Sequence, residues 1–330
     1  MPFWAALGAV AALAAAAMAA AAVPAMRAVI GIWLPCVALV LFFGGLGRRV
    51  WLWARTPVPF RIPTTAGQQR SLEWIAPGRL ESPWSAPWVA LRVALEVLLF
   101  RSLFRNVRSE LRPGPRLTFA EARWLWLGAM VFHWSLAIVL LRHLRFFVEP
   151  VPALIAALGR ADGFFESSVP AVLLTDIGLT AGVAFLLARR LRDPLLRYVS
   201  LFADHFALLL IGGSVVTGLL MRHVTKTDLP AVKAFALGLV TFAPSVPGGA
   251  GPVFFAHLAL ATVLLAYFPF SKLVHAPGAL LSPTRTLAND SRARRHVNPW
   301  NRPVPVRGYA EWEDEFREKI RVAGLPLERD

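Results

Sequence analysis

Six times along this chain an apolar run of about 20 residues appears, interrupted by few charges: residues 3–23, 28–47, 122–146, 169–188, 201–222 and 253–275. Roughly 20 apolar residues in a helix match the thickness of a bilayer core. In lipid the backbone N–H and C=O groups have no water to turn to, so a spanning segment folds as a helix that satisfies them internally. The predicted fold is all-α: a polytopic transmembrane bundle of about six helices. The expected divisions are an extra N-terminal transmembrane helix at 1–24 and a second at 25–47. A basic cytoplasmic loop with an amphipathic helix follows at 48–121, a four-helix membrane region at 122–275 and a cytoplasmic tail at 276–330. The Ala-rich first run has the small residues of a signal peptide. It lacks a positive start and is long for an h-region, which favours a retained helix.

A formal charge of +15 can indicate a nucleic-acid binder, but here the charges sit between the apolar runs. Of the 35 Lys and Arg residues, 28 fall in 48–121, 189–200 and 272–330 or at Arg123. Cytoplasmic connections collect such residues, so the long loop, the C-terminus and the N-terminus are expected in the cytoplasm of an inner-membrane, multi-pass protein. Membrane lipid, not nucleic acid, is the surrounding partner. Within the loop, prolines make 56–63 (TPVPFRIP) extended. Residues 86–108 read either as a helix lying in the membrane interface or as one docked on a partner. Residues 311–320 (EWEDEFREKI) read either as a docking helix or as a solvated one.

The single cysteine, Cys36, excludes several cofactors. An iron–sulfur cluster needs about four thiolates, and covalent haem attachment needs C-x-x-C-H. Histidine remains. His133 and His143 lie ten residues apart in one run, and His257 and His275 lie 18 apart in another. Ionisable groups in membrane segments are functional candidates by default, and imidazole is the commonest metal ligand. On straight helices the two spacings correspond to about 15 Å and about 27 Å. Adjacent runs cross in opposite directions, which pairs His143 with His257 and His133 with His275. Each pair is a candidate for the axial ligands of one haem b, and two stacked haems would form an electron path. The unequal spacings do not fit straight parallel cylinders, and Pro269 offers a kink.

Each feature also has a plainer reading. A histidine near a helix end can snorkel, as His143 and His275 could. His205 and His223 are 18 apart as well, and composition alone does not separate them from the ligand candidates. His296 reads as solvated. Gly212, Gly213 and Gly218 suit helix packing or a flat macrocycle. Arg142 and Arg145 suit interfacial anchoring, haem propionates or a quinone head group.

HWSLAIVLLRH and HLALATVLLAYFPFSKLVH resemble two helices of the respiratory nitrate reductase gamma (cytochrome b) subunit family, whose histidines at these spacings hold haem. This resemblance runs from about residue 25 to 280. Three segments are more similar to the DsrM membrane subunits of sulfite-reduction-associated DsrMKJOP complexes: PVPFRIPTTAGQQRSLEWI at 57–75, HLRFFVEPVP at 143–152, and FPFSKLVHAPGALLSPTRTLANDSRARRHVNPWN at 268–301. The resemblance implies two haem b groups on His133, His143, His257 and His275, with menaquinone or ubiquinone as exchangeable substrate. It also implies a DsrK-like iron–sulfur partner, the further J, O and P subunits and, indirectly, DsrC, within sulfur metabolism. It assigns no role to His205 or His223.

The expected function is therefore electron transfer within an oxidoreductase complex. The alternatives are a haem-free membrane anchor and the gamma subunit of a nitrate reductase-like enzyme. A transporter would call for broken helices in paired repeats, which the sequence does not display.

Overall fold

The computed structural model describes residues 2–56, 67–105, 108–114, 116–163, 171–281, 286–292 and 305–329. The stretch 57–66, which holds nearly all of the expected extended segment, and His296 lie outside these residues. Among the described residues five helices are long and apolar enough to cross a membrane: α1 (Pro2–Ala20), α2 (Pro24–Arg55), α4 (Arg123–Phe146), α7 (Phe202–Val224) and α9 (Pro252–Phe270). Between α2 and α4 lies α3 (Ala86–Leu99). Shorter helices include α5 (Ala153–Asp162), α8 (Leu229–Val240), α10 (His275–Leu281) and α11 (Tyr309–Val322). The run expected at 169–188 becomes α6 (Leu174–Arg192), whose apolar stretch is bounded by Asp176 and by Arg189, Arg190 and Arg192. It packs in the bundle beside α4 and α7.

Alanine is the strongest helix former, and α1 uses it a second way, as a thin face. Ala6 is fully buried against α7 and α9, where Leu210 and Leu260 close the core. Farther along, Ala17 and Ala21 pack with Ile30, Phe254 and Phe255. The helix ends where Val23 adopts the extended conformation that a following proline favours, and Pro24 opens α2.

The run at 253–275 is not one helix: it breaks next to Pro269, where the sequence offers a kink. α9 tightens into a 3-10 turn at Phe268–Phe270, and Ser271 is extended at φ −116°, ψ 179°. A second 3-10 turn, Lys272–Val274, leads into α10 at His275. Pro269 lacks an N–H and crowds the preceding turn, and Ser271 Oγ restarts the chain by accepting from Leu273 N at 3.2 Å. Arg49 Nε donates to Pro269 O at 3.0 Å, and a Cβ at Gly45 would lie 2.8 Å from Pro269 Cγ. The break is thus held against α2 by a glycine and an arginine.

The loop contains more than the expected helix. Strands β1 (Arg108–Arg112) and β2 (Arg116–Ala120) form an antiparallel hairpin in which Glu110 faces Thr118; its turn includes Gly114 at φ +83°, where glycine is unstrained. α3 ends on α4: the indole N–H groups of Trp126 and Trp134 donate to Leu99 O at 2.7 Å and Leu98 O at 3.1 Å. These indoles satisfy carbonyls that a helix C-terminus leaves open. The two segments flanking the bundle on this side also meet. Asn289 Nδ2 donates to Ser82 Oγ at 2.7 Å, and Gln69 Nε2 donates to Asn289 Oδ1 at 2.8 Å.

The α4–α6 interface rests on close backbone approach. A Cβ at Gly182 would stand 2.8 Å from Phe132 Cβ and 2.9 Å from Phe132 Cα. Backbone cannot yield as a flexible side chain can, so Gly182→Val is expected to destabilise the bundle by about 1–3 kcal/mol, read as a lowered thermal midpoint in detergent.

Candidate functional site

The break after α9 places His275 opposite His133 of α4. Their ring centroids are 6.1 Å apart and the ring planes are nearly perpendicular, at 86°. Farther along α4, His143 faces His257 of α9, with centroids 6.4 Å apart and planes at 19°. Both neighbour pairs join a descending and an ascending element. His143 and His275 are exposed and His133 and His257 half-buried.

The hydrogen bonds determine which nitrogen of each ring is engaged. His133 Nδ1 lies 2.8 Å from Ala129 O, His143 Nδ1 2.7 Å from Val139 O, and His275 Nδ1 2.6 Å from Lys272 O. A carbonyl only accepts, so in these three rings the proton sits on Nδ1. His257 Nδ1 lies 3.0 Å from Thr217 Oγ1. The Thr217 hydroxyl donates to Gly213 O at 2.8 Å, which leaves its oxygen to accept from His257. All four rings thus commit Nδ1 as donor and keep the Nε2 lone pair free. This is the arrangement that orients metal-binding histidines.

The separations fit a metal between the rings. A transition metal sits about 2.0 Å from an imidazole nitrogen, with the ring centre about 1.1 Å farther back, so two axial imidazoles have centres about 6.3 Å apart. Among the described residues no three His, Cys, Asp or Glu side chains gather as a metal site; the arrangement suits a metal whose remaining ligands come with it, as in haem.

His205 and His223 have different surroundings. His205 is buried against Phe3, with centroids 5.6 Å apart, and its Nδ1 has no hydrogen-bond partner among the described residues. His223 Nε2 is 3.9 Å from Asp176 Oδ2. A π-helical turn at Leu220–Val224 interrupts the regular phase between them. Of the glycines, Gly212 faces Val183 and Gly213 faces Leu260 and Val10, a packing role; a Cβ at Gly218 would lie 3.4 Å from His257 Cε1.

Arg142 is turned inward. It forms a buried ion pair with Asp162, and that carboxylate also accepts from Thr175 N at 2.8 Å and Thr175 Oγ1 at 2.6 Å. Sequence left Arg142 open between interfacial anchoring, a propionate and a quinone head group; the fold ties it to Asp162, a partner 20 residues away that sequence could not reveal. Arg145 remains over the Phe146 ring at 4.8 Å. Phe100, in a left-handed turn at φ 47°, places its ring 5.0 Å from that of His133, a contact the sequence did not suggest.

The sequence profile of the nitrate reductase gamma subunit family matches residues 84–290. The chain belongs to this family. The matched region contains all four paired histidines and excludes α1 and α2, so it starts later than the resemblance read at 25–280. Two relatives carry the description "Hdr-like menaquinol oxidoreductase cytochrome b-like subunit". The one from Archaeoglobus fulgidus is 42% identical over 280 residues, 83% of each chain. The one from Archaeoglobus profundus is 40% identical over 301 residues, 88% of this chain and 87% of its own. Family membership and five apolar helices make this a multi-pass membrane protein.

Removing one partner of a buried ion pair leaves an uncompensated charge, at a cost of about 3–5 kcal/mol. Asp162→Ala is therefore expected to lower the unfolding midpoint strongly in detergent, while Asp162→Ala combined with Arg142→Met recovers part of the loss.

Proposed function

We propose that the chain is the di-haem b membrane subunit that carries electrons between a menaquinone or ubiquinone pool and a cytoplasmic iron–sulfur partner. The observation that carries this reading is the pair of imidazole couples at 6.1 and 6.4 Å, each ring with Nδ1 engaged and Nε2 free. In this reading His143 and His257 hold one haem and His133 and His275 the other. A bound haem b supplies one-electron transfer. The protein's part is to orient the four rings, to shield the pairs from water with apolar helices, and to offer Arg145 to a propionate or a quinone head group.

The relatives' description as menaquinol oxidoreductase subunits supports the quinone link. The DsrM-like segments support the finer assignment to a DsrMKJOP-type complex of sulfur metabolism, with a DsrK-like partner, subunits J, O and P, and DsrC at one remove. Two of those segments meet at Asn289, on the Arg-rich side assigned to the cytoplasm. α11 suits docking: Tyr309, Trp312 and Phe316 follow one another with successive ring centroids 5.6 Å apart. Backbone N–H groups of Glu328 and Arg329 hold the Glu313 carboxyl of the same helix below the usual carboxylate range.

Haem quantitation tests the assignment. Alanine at His133, His143, His257 or His275 is expected to remove about half of the bound haem, and alanine at His205 or His223 none. Full occupancy in all four ligand variants overturns the reading. Electron paramagnetic resonance adds a geometric check. Parallel axial rings split the iron d orbitals strongly and perpendicular rings leave them nearly degenerate. The oxidised protein is expected to give one rhombic signal, lost in His143→Ala, and one highly anisotropic signal, lost in His275→Ala.

A further inference from the structure

On α3 the usual amphipathic pattern is reversed. Arg92 is 1% exposed, and the Glu96 carboxylate accepts from Ser102 N at 3.0 Å. Ala90, Leu91, Ala94 and Leu98 are exposed. At 100° per residue, Arg92 and Glu96 lie about 160° round the helix from Ala94. A helix on a soluble protein buries its apolar stripe; here the charges turn inward and the stripe outward. The stripe forms one wall of a groove of about 650 Å³, lined by Val89, Ala90, Val93, Ala94 and Val97, with Leu280 of α10 opposite. Among the described residues no charged side chain lines it. The last carbonyls of α3, Leu98 O and Leu99 O, accept from Trp134 and Trp126. Those two residues stand about 16 Å and about 4 Å beyond Arg123 along the spanning helix α4. At the start of α3, Trp84 and Trp88 lie under Arg70 and Arg79, at 5.7 and 5.5 Å, aromatic rings of the kind that mark a membrane–water boundary.

We propose that α3 lies within the lipid leaflet at the Arg123 end of α4 without crossing it, and that its outer groove holds an acyl chain of a bilayer phospholipid. The surface continuous with the groove decides the occupant. α4 is exposed at Leu127, Val131 and Trp134, over the same stretch on which α3 docks, and on a spanning helix that surface meets hydrocarbon. The outer face of α3 sits at the same depth and meets the same solvent. From Ala86 to Leu98 the groove wall runs about 18 Å, close to half of the roughly 30 Å hydrocarbon core. A helix that ends in hydrocarbon must have its last carbonyls satisfied by protein, and the two indoles do this; in water the solvent would serve. Arg101, just past the helix, is paired with Glu81. The groove also skirts the His133–His275 pair: Phe100 follows α3 with its ring 5.0 Å from that of His133, and α10 begins at His275. An acyl chain there excludes water from that side of the pair. This placement depends on α4 spanning the membrane and not on the haem assignment.

The test uses the full chain in nanodiscs of phosphatidylcholine and phosphatidylglycerol. Nitroxides are attached in Ala90→Cys, Ala94→Cys and, as a water-facing control, Val306→Cys, each in a Cys36→Ser background; Val306 is 93% exposed. Oxygen, which concentrates in lipid, is expected to relax the labels on α3, and a water-soluble nickel chelate only the label on the tail. Strong relaxation by the nickel chelate on α3 overturns the placement in lipid. Relaxation by neither reagent overturns the lipid occupant, because protein then covers the groove. Phosphatidylcholine with a diazirine on its acyl chain is then photolysed in the same nanodiscs and its adducts mapped by peptide mass spectrometry. Adducts are expected within 86–98 and 280–288, and they should fall about tenfold in Ala94→Trp, which fills the groove from an exposed position. Adducts undiminished in that variant, or displaced by added menaquinone, overturn the acyl-chain site.

Discussion

The structure depends on one constraint: a polar atom among apolar helices must find its partner within the protein. The four paired histidines meet it through Nδ1. Two turn back on the carbonyl four residues earlier in α4, one onto a carbonyl three residues earlier, and one across to Thr217 of α7. The same requirement joins Arg142 to Asp162 and aims two indoles at the open end of α3. An imidazole tied down in this way cannot rotate freely, and its second nitrogen is presented in one direction. The solvation demand of the bilayer therefore does the orienting that metal chemistry needs.

Close helix approach is the second condition, and small residues provide it. Ala6 lets α1 sit on α7 and α9, and Gly182 lets α6 rest on the backbone of Phe132, next to His133. Gly45 lets α2 press on the break at Pro269. A bulkier residue at any of these points would move a helix that carries, or supports, a histidine. Packing and ring geometry are in this respect one problem.

Much of this was legible in the sequence. Run length predicts a helical membrane bundle because bilayer thickness fixes it, and alternating direction predicts which ends of α4 and α9 are neighbours. The sequence did not disclose that the 253–275 run breaks. The proline was visible, but the extended Ser271 and the two 3-10 turns depend on Arg49 and Gly45 of a distant helix. Nor did it disclose the partner of Arg142, because residues 142 and 162 meet only through the fold. The Arg-rich loop at 108–120 reads as polar connection, and its hairpin rests on cross-strand pairing that helical periodicity does not display.

The 18-residue spacing shows why residue pattern and site differ. It occurs twice, at His205–His223 and at His257–His275. On ideal helices both pairs would share a face about 27 Å apart, and both helices depart from the ideal. In α7 a π-helical turn leaves His223 facing Asp176, while His205 is shut behind Phe3. In α9 the chain leaves the helix axis before His275, which lets that ring meet His133. The departure in α9 also removes the mismatch between spans of about 15 Å and about 27 Å, since His275 no longer lies on the axis that set the longer one. Spacing proposes which rings to compare, and the irregular turns decide which of them can face a common centre.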